Sequence, residues 1–126
     1  MKSGVDLDSW LTPDETGNLR MNRDEQIKTL SRASDWRAAL IILTSAFAQD
    51  SRVWQHVNLD REEIFFRTIL EDATFSAGER ILLSVAASLF NQEHSINLWE
   101  VLNRLDETNT ALVLTAIRSF IGEQEP

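Results

Sequence analysis

Ser76-Ala77-Gly78-Glu79-Arg80-Ile81-Leu82-Leu83-Ser84-Val85-Ala86-Ala87-Ser88-Leu89-Phe90-Asn91 is the stretch that decides the fold. A serine followed three residues later by glutamate, just ahead of an apolar run, satisfies two helix-start amides reciprocally. Behind that start, Ile81, Leu82, Val85, Ala86, Leu89 and Phe90 recur at helical spacing, which predicts a helix ending near Asn91. Little of its circumference is polar. A helix apolar nearly all round belongs inside a bundle.

The same reading extends outward in both directions. Asn22 with Glu25 resembles a second reciprocal cap and predicts a helix to about Ser31, burying Ile27 and Leu30. Ser34 is the expected cap of a helix from Asp35 to about Ala48, carrying Trp36, Leu40, Leu43 and Phe47. Residues 52–57 read as a short helix or turn. Asn58 or Asp60 is expected to open a helix to about Ala73, with Phe65, Phe66, Ile69 and Leu70 on one face. Glu63, Arg67 and Glu71 would ladder at i, i+4 on the other face. Ser95 is expected to cap a short helix bearing Leu98, Trp99, Leu102 and Leu105. Asp106 or Thr108 then starts the last helix, burying Leu112, Val113, Leu114, Ile117, Phe120 and Ile121, with Gly122 as its stop.

Both prolines, Pro13 and Pro126, lie outside these spans. No window alternates with period two for long enough to predict a strand. The expected fold is therefore all-α, a compact array of five to six helices. Its core should comprise Trp36, Leu40, Leu43, Phe47, Phe66, Ile69, Leu82, Val85, Leu89, Trp99, Leu102, Val113, Ile117 and Phe120. Residues 1–20, with scattered acids and Val5, Leu7, Trp10 and Leu11, read as a flexible arm whose Trp10 could dock on the core. Residues 21–126 read as a single helical domain.

An internal likeness bears on the architecture. Leu40 to Phe47 and Leu82 to Phe90 are both aliphatic, then small, then close on phenylalanine. Each is followed by a tryptophan (Trp54, Trp99), an asparagine and a Leu-Asp pair. The offset suits paired-helix repeats. If the likeness is a duplication, residues 35–73 and 77–121 are two tandem long–short–long helical units.

The chemistry is defined mostly by what is missing. With no cysteine, disulfides, thiolate nucleophiles and Cys-type metal sites are excluded. A di-iron bundle needs Glu-x-x-His pairs, but Val53 and Asn91 precede His56 and His94 by three residues. No Gly-x-Ser-x-Gly occurs, and Gly4, Gly17, Gly78 and Gly122 stand too far apart to cradle a phosphate. No catalytic, cofactor-binding or metal-ligating residue is assigned, and the expectation is a protein that is not an enzyme. The longest apolar run, Ala38 to Leu43, is too short for a membrane span, and no signal peptide is read at the start. A cytoplasmic location is the expectation.

Net charge is −8, which disfavours nucleic acid as a partner. The charge is uneven, +2 over residues 20–37 and −7 over residues 58–126. The candidate partner contacts are therefore the basic set Arg20, Arg23, Lys28, Arg32 and Arg37, and the acidic set Glu62, Glu63 and Glu71. Either set is also what a solvated helix face looks like.

Ser88-Leu89-Phe90-Asn91, then Leu105-Asp106, Asn109 and Ala116-Ile117, resemble the closing segment of small uncharacterised helical proteins of Gram-positive bacteria and their phages or mobile elements. The resemblance spans about a quarter of the chain. It implies a bacterial, cytosolic origin and carries over no site or activity.

Three functional expectations follow. The first is a non-enzymatic protein-binding or regulatory module, open to pairing as a homodimer. The second is an acidic antagonist presenting Glu62, Glu63, Glu71, Asp72, Glu100 and Glu107 to a nucleic-acid-binding enzyme. The third is an enzyme whose unrecognised site holds His56 or His94 beside a carboxylate.

Overall fold

Helix-start chemistry organises the chain in the computed structural model, which describes residues 11–13, 19–91 and 94–122. In chain order the elements are β1 (Leu11–Pro13), β2 (Leu19–Met21), α1 (Arg23–Leu30), α2 (Ser34–Ala46), α3 (Ser51–Trp54), β3 (Val57–Asn58), β4 (Glu63–Ile64), α4 (Phe66–Leu70), α5 (Ala77–Phe90), α6 (Leu98–Arg104) and α7 (Glu107–Phe120). The expected docking of Trp10 falls outside the described residues, as does Pro126. No helix among the described residues is long and apolar enough to cross a membrane.

The reciprocal cap of α5 forms as read. Ser76 Oγ accepts from the Glu79 amide at 3.1 Å, and Glu79 Oε1 accepts from the Ser76 amide at 2.8 Å. Replacing Ser76 by alanine is expected to cost about 1 kcal/mol, seen as a lower urea midpoint with an unchanged slope. Asn22 caps α1 and Asp106 caps α7, each accepting from an amide three residues on. Gly122, at φ 81°, supplies the left-handed turn that follows α7.

Two expected caps move. Ala33, not Ser34, precedes α2, and Asn97, not Ser95, caps α6. In both cases the serine lies within two residues of the real boundary, so spacing alone did not separate the choices.

The largest difference lies between residues 57 and 73, where one long helix was expected. β3 and β4 pair antiparallel there, Val57 with Ile64 and Asn58 with Glu63. The Asn58 carboxamide accepts from the Arg61 amide at 3.0 Å, the same bond a helix cap would make. Asparagine satisfies a tight turn equally well. Glu62 then adopts φ 57°, which ends any helical path. Only Phe66–Leu70 remains helical, so Glu63 sits on a strand and the expected Glu63–Arg67–Glu71 ladder does not exist. A second ladder pairs β1 with β2. The fold nonetheless stays predominantly all-α, with seven helical segments among the described residues.

The hairpin also decides the repeat. Residues 77–121 are long–short–long, but residues 35–73 are long–short–hairpin–short. The third element of the first unit has no counterpart in the second.

Helix α2 is the centre, packed against α7 and α5, while α5 also meets α4, α6 and α7. Ala38 and Ala39 on α2, Ala86 and Ala87 on α5, and Ala116 on α7 are all fully buried. Such small residues let helix axes approach to about 8 Å, the close end of the usual range. Larger groups fill the remaining space. Trp36 meets Phe90 edge-on at 4.9 Å between ring centroids, and Phe47 meets Phe75 likewise at 6.0 Å. Side chains then tie loops to this core. Arg80 donates to the carbonyls of Leu70 and Asp72, both at 2.9 Å, fastening the end of α4 onto α5.

Asp50 caps α3 and accepts from the Arg52 amide at 3.0 Å and from two guanidinium nitrogens at 2.9 and 2.6 Å. The Arg52 hydrogen bonds hold the Asp50 carboxyl below its ordinary value, against the opposing effect of desolvation. A depressed folded-state pKa contributes stability above the unfolded value, about 3.9, and loses it as pH falls through the folded value. The stability gap between wild type and Asp50→Asn should therefore hold steady from about pH 7 to about pH 5 and shrink below about pH 4. Urea midpoints across that range check it. A gap that widens on acidification would contradict the pairing.

Candidate protein-interaction surface

Seven residues make α6, and only one of them, Val101, is buried. Asn97 Oδ1 accepts from the Glu100 amide at 3.2 Å to start the helix, and Asn103 Nδ2 donates to the Trp99 carbonyl at 2.8 Å near its end. Successive residues on a helix are about 100° apart, so Leu98, Trp99, Val101 and Leu102 span nearly half the circumference. Val101, 3% exposed, takes the side facing α5. The remainder of the apolar arc faces solvent, with Leu98 63% exposed, Trp99 66% and Leu102 58%. Leu98 and Leu102 are four residues apart and Trp99 and Leu102 three apart, so the three form one stripe. Ile96, 36% exposed, lies just ahead of the helix.

Trp99, Leu102 and Phe120, expected in the core, are thus exposed, and so are Leu114 and Ile121 on or beyond α7. Phe65, expected on the apolar face of its helix, is half exposed just before α4. The reason is geometric. Helix α6 is too short and too peripheral to be covered by a second layer, and α7 spends its buried face, Val113 and Ala116, on α2 and α5. A cleft of about 350 Å³ runs beside the stripe, between Ile81 and Ser84 of α5 and Ile96, Glu100 and Val101.

The basic set does not form one patch. Arg23 donates to the Ala48 carbonyl at 3.1 Å and lies 3.9 Å over the Trp54 ring, near the C-terminal end of α2. Arg37 sits in the first turns of α2, roughly 15 Å away by helical rise. Its guanidinium donates to Ser119 Oγ at 2.6 Å, to the Ser119 carbonyl at 2.7 Å and to the Ser31 carbonyl at 3.2 Å. Lys28 and Arg32 are exposed, while Arg20 is placed only by its backbone in β2, opposite Thr12. In the acidic set, Glu62 and Glu63 share the hairpin and Glu71 closes α4, all exposed.

His94 lines a separate cleft of about 350 Å³ with Ile64, Phe65, Phe66, Arg67, Thr68 and Asn91, its ring 6.4 Å from that of Phe66. His56 accepts at its backbone carbonyl from the Phe65 amide at 3.0 Å, just outside the hairpin.

Sequence reading missed the α6 stripe because it sent every apolar residue inward. Spacing places Leu98, Trp99 and Leu102 on one side of the helix but does not say whether that side is covered. Against known protein families, curated proteins and solved structures, the chain has no match.

Proposed function

We propose that the chain is a non-enzymatic protein-binding or regulatory module of the cytoplasm, which docks a protein partner on the outward face of α6. One observation carries the reading: Trp99, the most exposed of the described large aromatics, shares a single stripe with two exposed leucines. Monomeric proteins rarely leave several large apolar side chains contiguous and uncovered, and such patches mark interaction sites. Tryptophan is also among the residues most enriched as interface anchors.

A photo-crosslinking amino acid tests the proposal in the cells that make the protein. Placed at position 99 it should yield discrete protein adducts, whereas at exposed Lys28 it should not. Adducts at position 28 with none at position 99 would overturn the reading.

A second reading, the acidic antagonist, draws support from the hairpin, where Glu62 and Glu63 stand exposed beside each other. It has the opposite salt signature. Charge-led binding weakens steeply with ionic strength, and an apolar contact does not.

A further inference from the structure

We infer that the occupant of the α6 face is a second copy of this chain, joined α6 to α6 about a two-fold axis. The inference rests on the docking reading above and names its partner. An apolar stripe is its own complement, so an isologous contact needs no second patch elsewhere on the molecule.

The area fits. Ile96, Leu98, Trp99 and Leu102, at their exposures of 36, 63, 66 and 58%, offer on the order of 400 Å² of apolar surface. Interfaces at the lower end of the standard class bury about 600 Å² per partner, and homodimer contacts are roughly two-thirds apolar. The stripe therefore supplies what a weak two-fold dimer requires, and little more.

The charge fits as well. Each copy carries −8, so long-range repulsion opposes association. Within α6, however, Glu100 and Arg104 cancel. Antiparallel pairing sets Trp99 of each copy over Leu102 of the other, while Glu100 and Arg104, about 150° and about 170° of helical rotation from the stripe, stay outside the contact. A contact that is neutral locally, between molecules that repel globally, must tighten as salt rises.

Sedimentation equilibrium of the full chain up to about 300 µM tests this. The expected result is a monomer–dimer equilibrium with Kd on the order of 10 µM, tightening several-fold between about 50 and about 500 mM sodium chloride. Leu102→Glu should weaken it by at least about 100-fold. Leu102 is exposed in the single copy, so that variant should keep the wild-type helical circular dichroism. Leu98→Ser is the milder variant, expected to weaken pairing about tenfold should Leu102→Glu disturb folding. A monomer at every concentration would overturn the second copy as occupant, yet position-99 adducts heavier than one chain by another protein would leave the docking reading standing. A dimer indifferent to both substitutions, or one loosened by salt, would overturn the inference too.

Discussion

Replacing Phe47 by alanine is expected to remove about 4 kcal/mol of stability, a large share of the roughly 5–15 kcal/mol such a domain possesses. Phe47 closes α2 and is 2% exposed. Its ring meets Phe75 edge-on, and its carbonyl accepts from Trp54 Nε1 at 2.7 Å, so the ring and backbone together anchor the turn into α3. Truncation removes the ring that meets Phe75 and leaves a cavity in a close-packed interior that relaxes only in part. Urea unfolding should show the midpoint falling by well over 1 M with little change in slope. A loss under about 2 kcal/mol would mean that this end of α2 is not packed as described.

Arg37→Met is expected to cost about 2–3 kcal/mol, because one guanidinium serves three acceptors on two segments. Those bonds tie the start of α2 to the last turn of α7 and to the Ser31 carbonyl that follows α1. Methionine keeps much of the aliphatic bulk but removes all three donors, leaving the Ser119 carbonyl with the Gly122 amide at 3.1 Å and taking the guanidinium from the Ser31 carbonyl. Ser119→Ala removes only the hydroxyl acceptor and should cost about 1 kcal/mol. Amide exchange should also separate the two variants. Arg37→Met should release the amides of residues 117–121 first, whereas an unpaired surface arginine would leave them untouched. The outcome bears on function, since an arginine committed inside the fold has less to offer a partner than exposed Lys28 or Arg32.

Three helix starts were legible, and those of α2 and α6 were not. Asn22, Ser76 and Asp106 each place an acceptor three residues ahead of a needy amide, and local spacing alone reveals that. The central apolar helices were equally plain, because periodicity without a polar face permits only burial. Asn58 was not legible, since its side chain makes the same i to i+3 bond in a turn as in a cap. What separated the two was the backbone at Glu62, and a non-glycine residue at positive φ leaves no mark in a sequence.

The interaction face failed for a different reason. Apolar spacing tells which residues share a side of a helix, never whether a second layer exists to cover that side. Val101 and Leu102 are neighbours of similar character, yet one is buried against α5 and the other faces water. The difference lies in how α6 sits on the bundle, which is tertiary information. The candidate charged contacts were visible as composition, but their arrangement was not: Arg23 and Arg37 proved to hold opposite ends of α2.

Fluorine NMR of the chain labelled with 5-fluorotryptophan, read across a dilution series, tests most directly whether α6 turns its apolar face outward to be covered by a partner. The Trp99 resonance is identified by its loss in Trp99→Phe, and buried Trp36 serves as the internal reference. On dilution the Trp99 signal should move and acquire the solvent isotope shift of an indole in water, while Trp36 stays fixed. A Trp99 signal that stays as protected from water as Trp36 at every concentration would place the stripe inside the monomer and contradict the account.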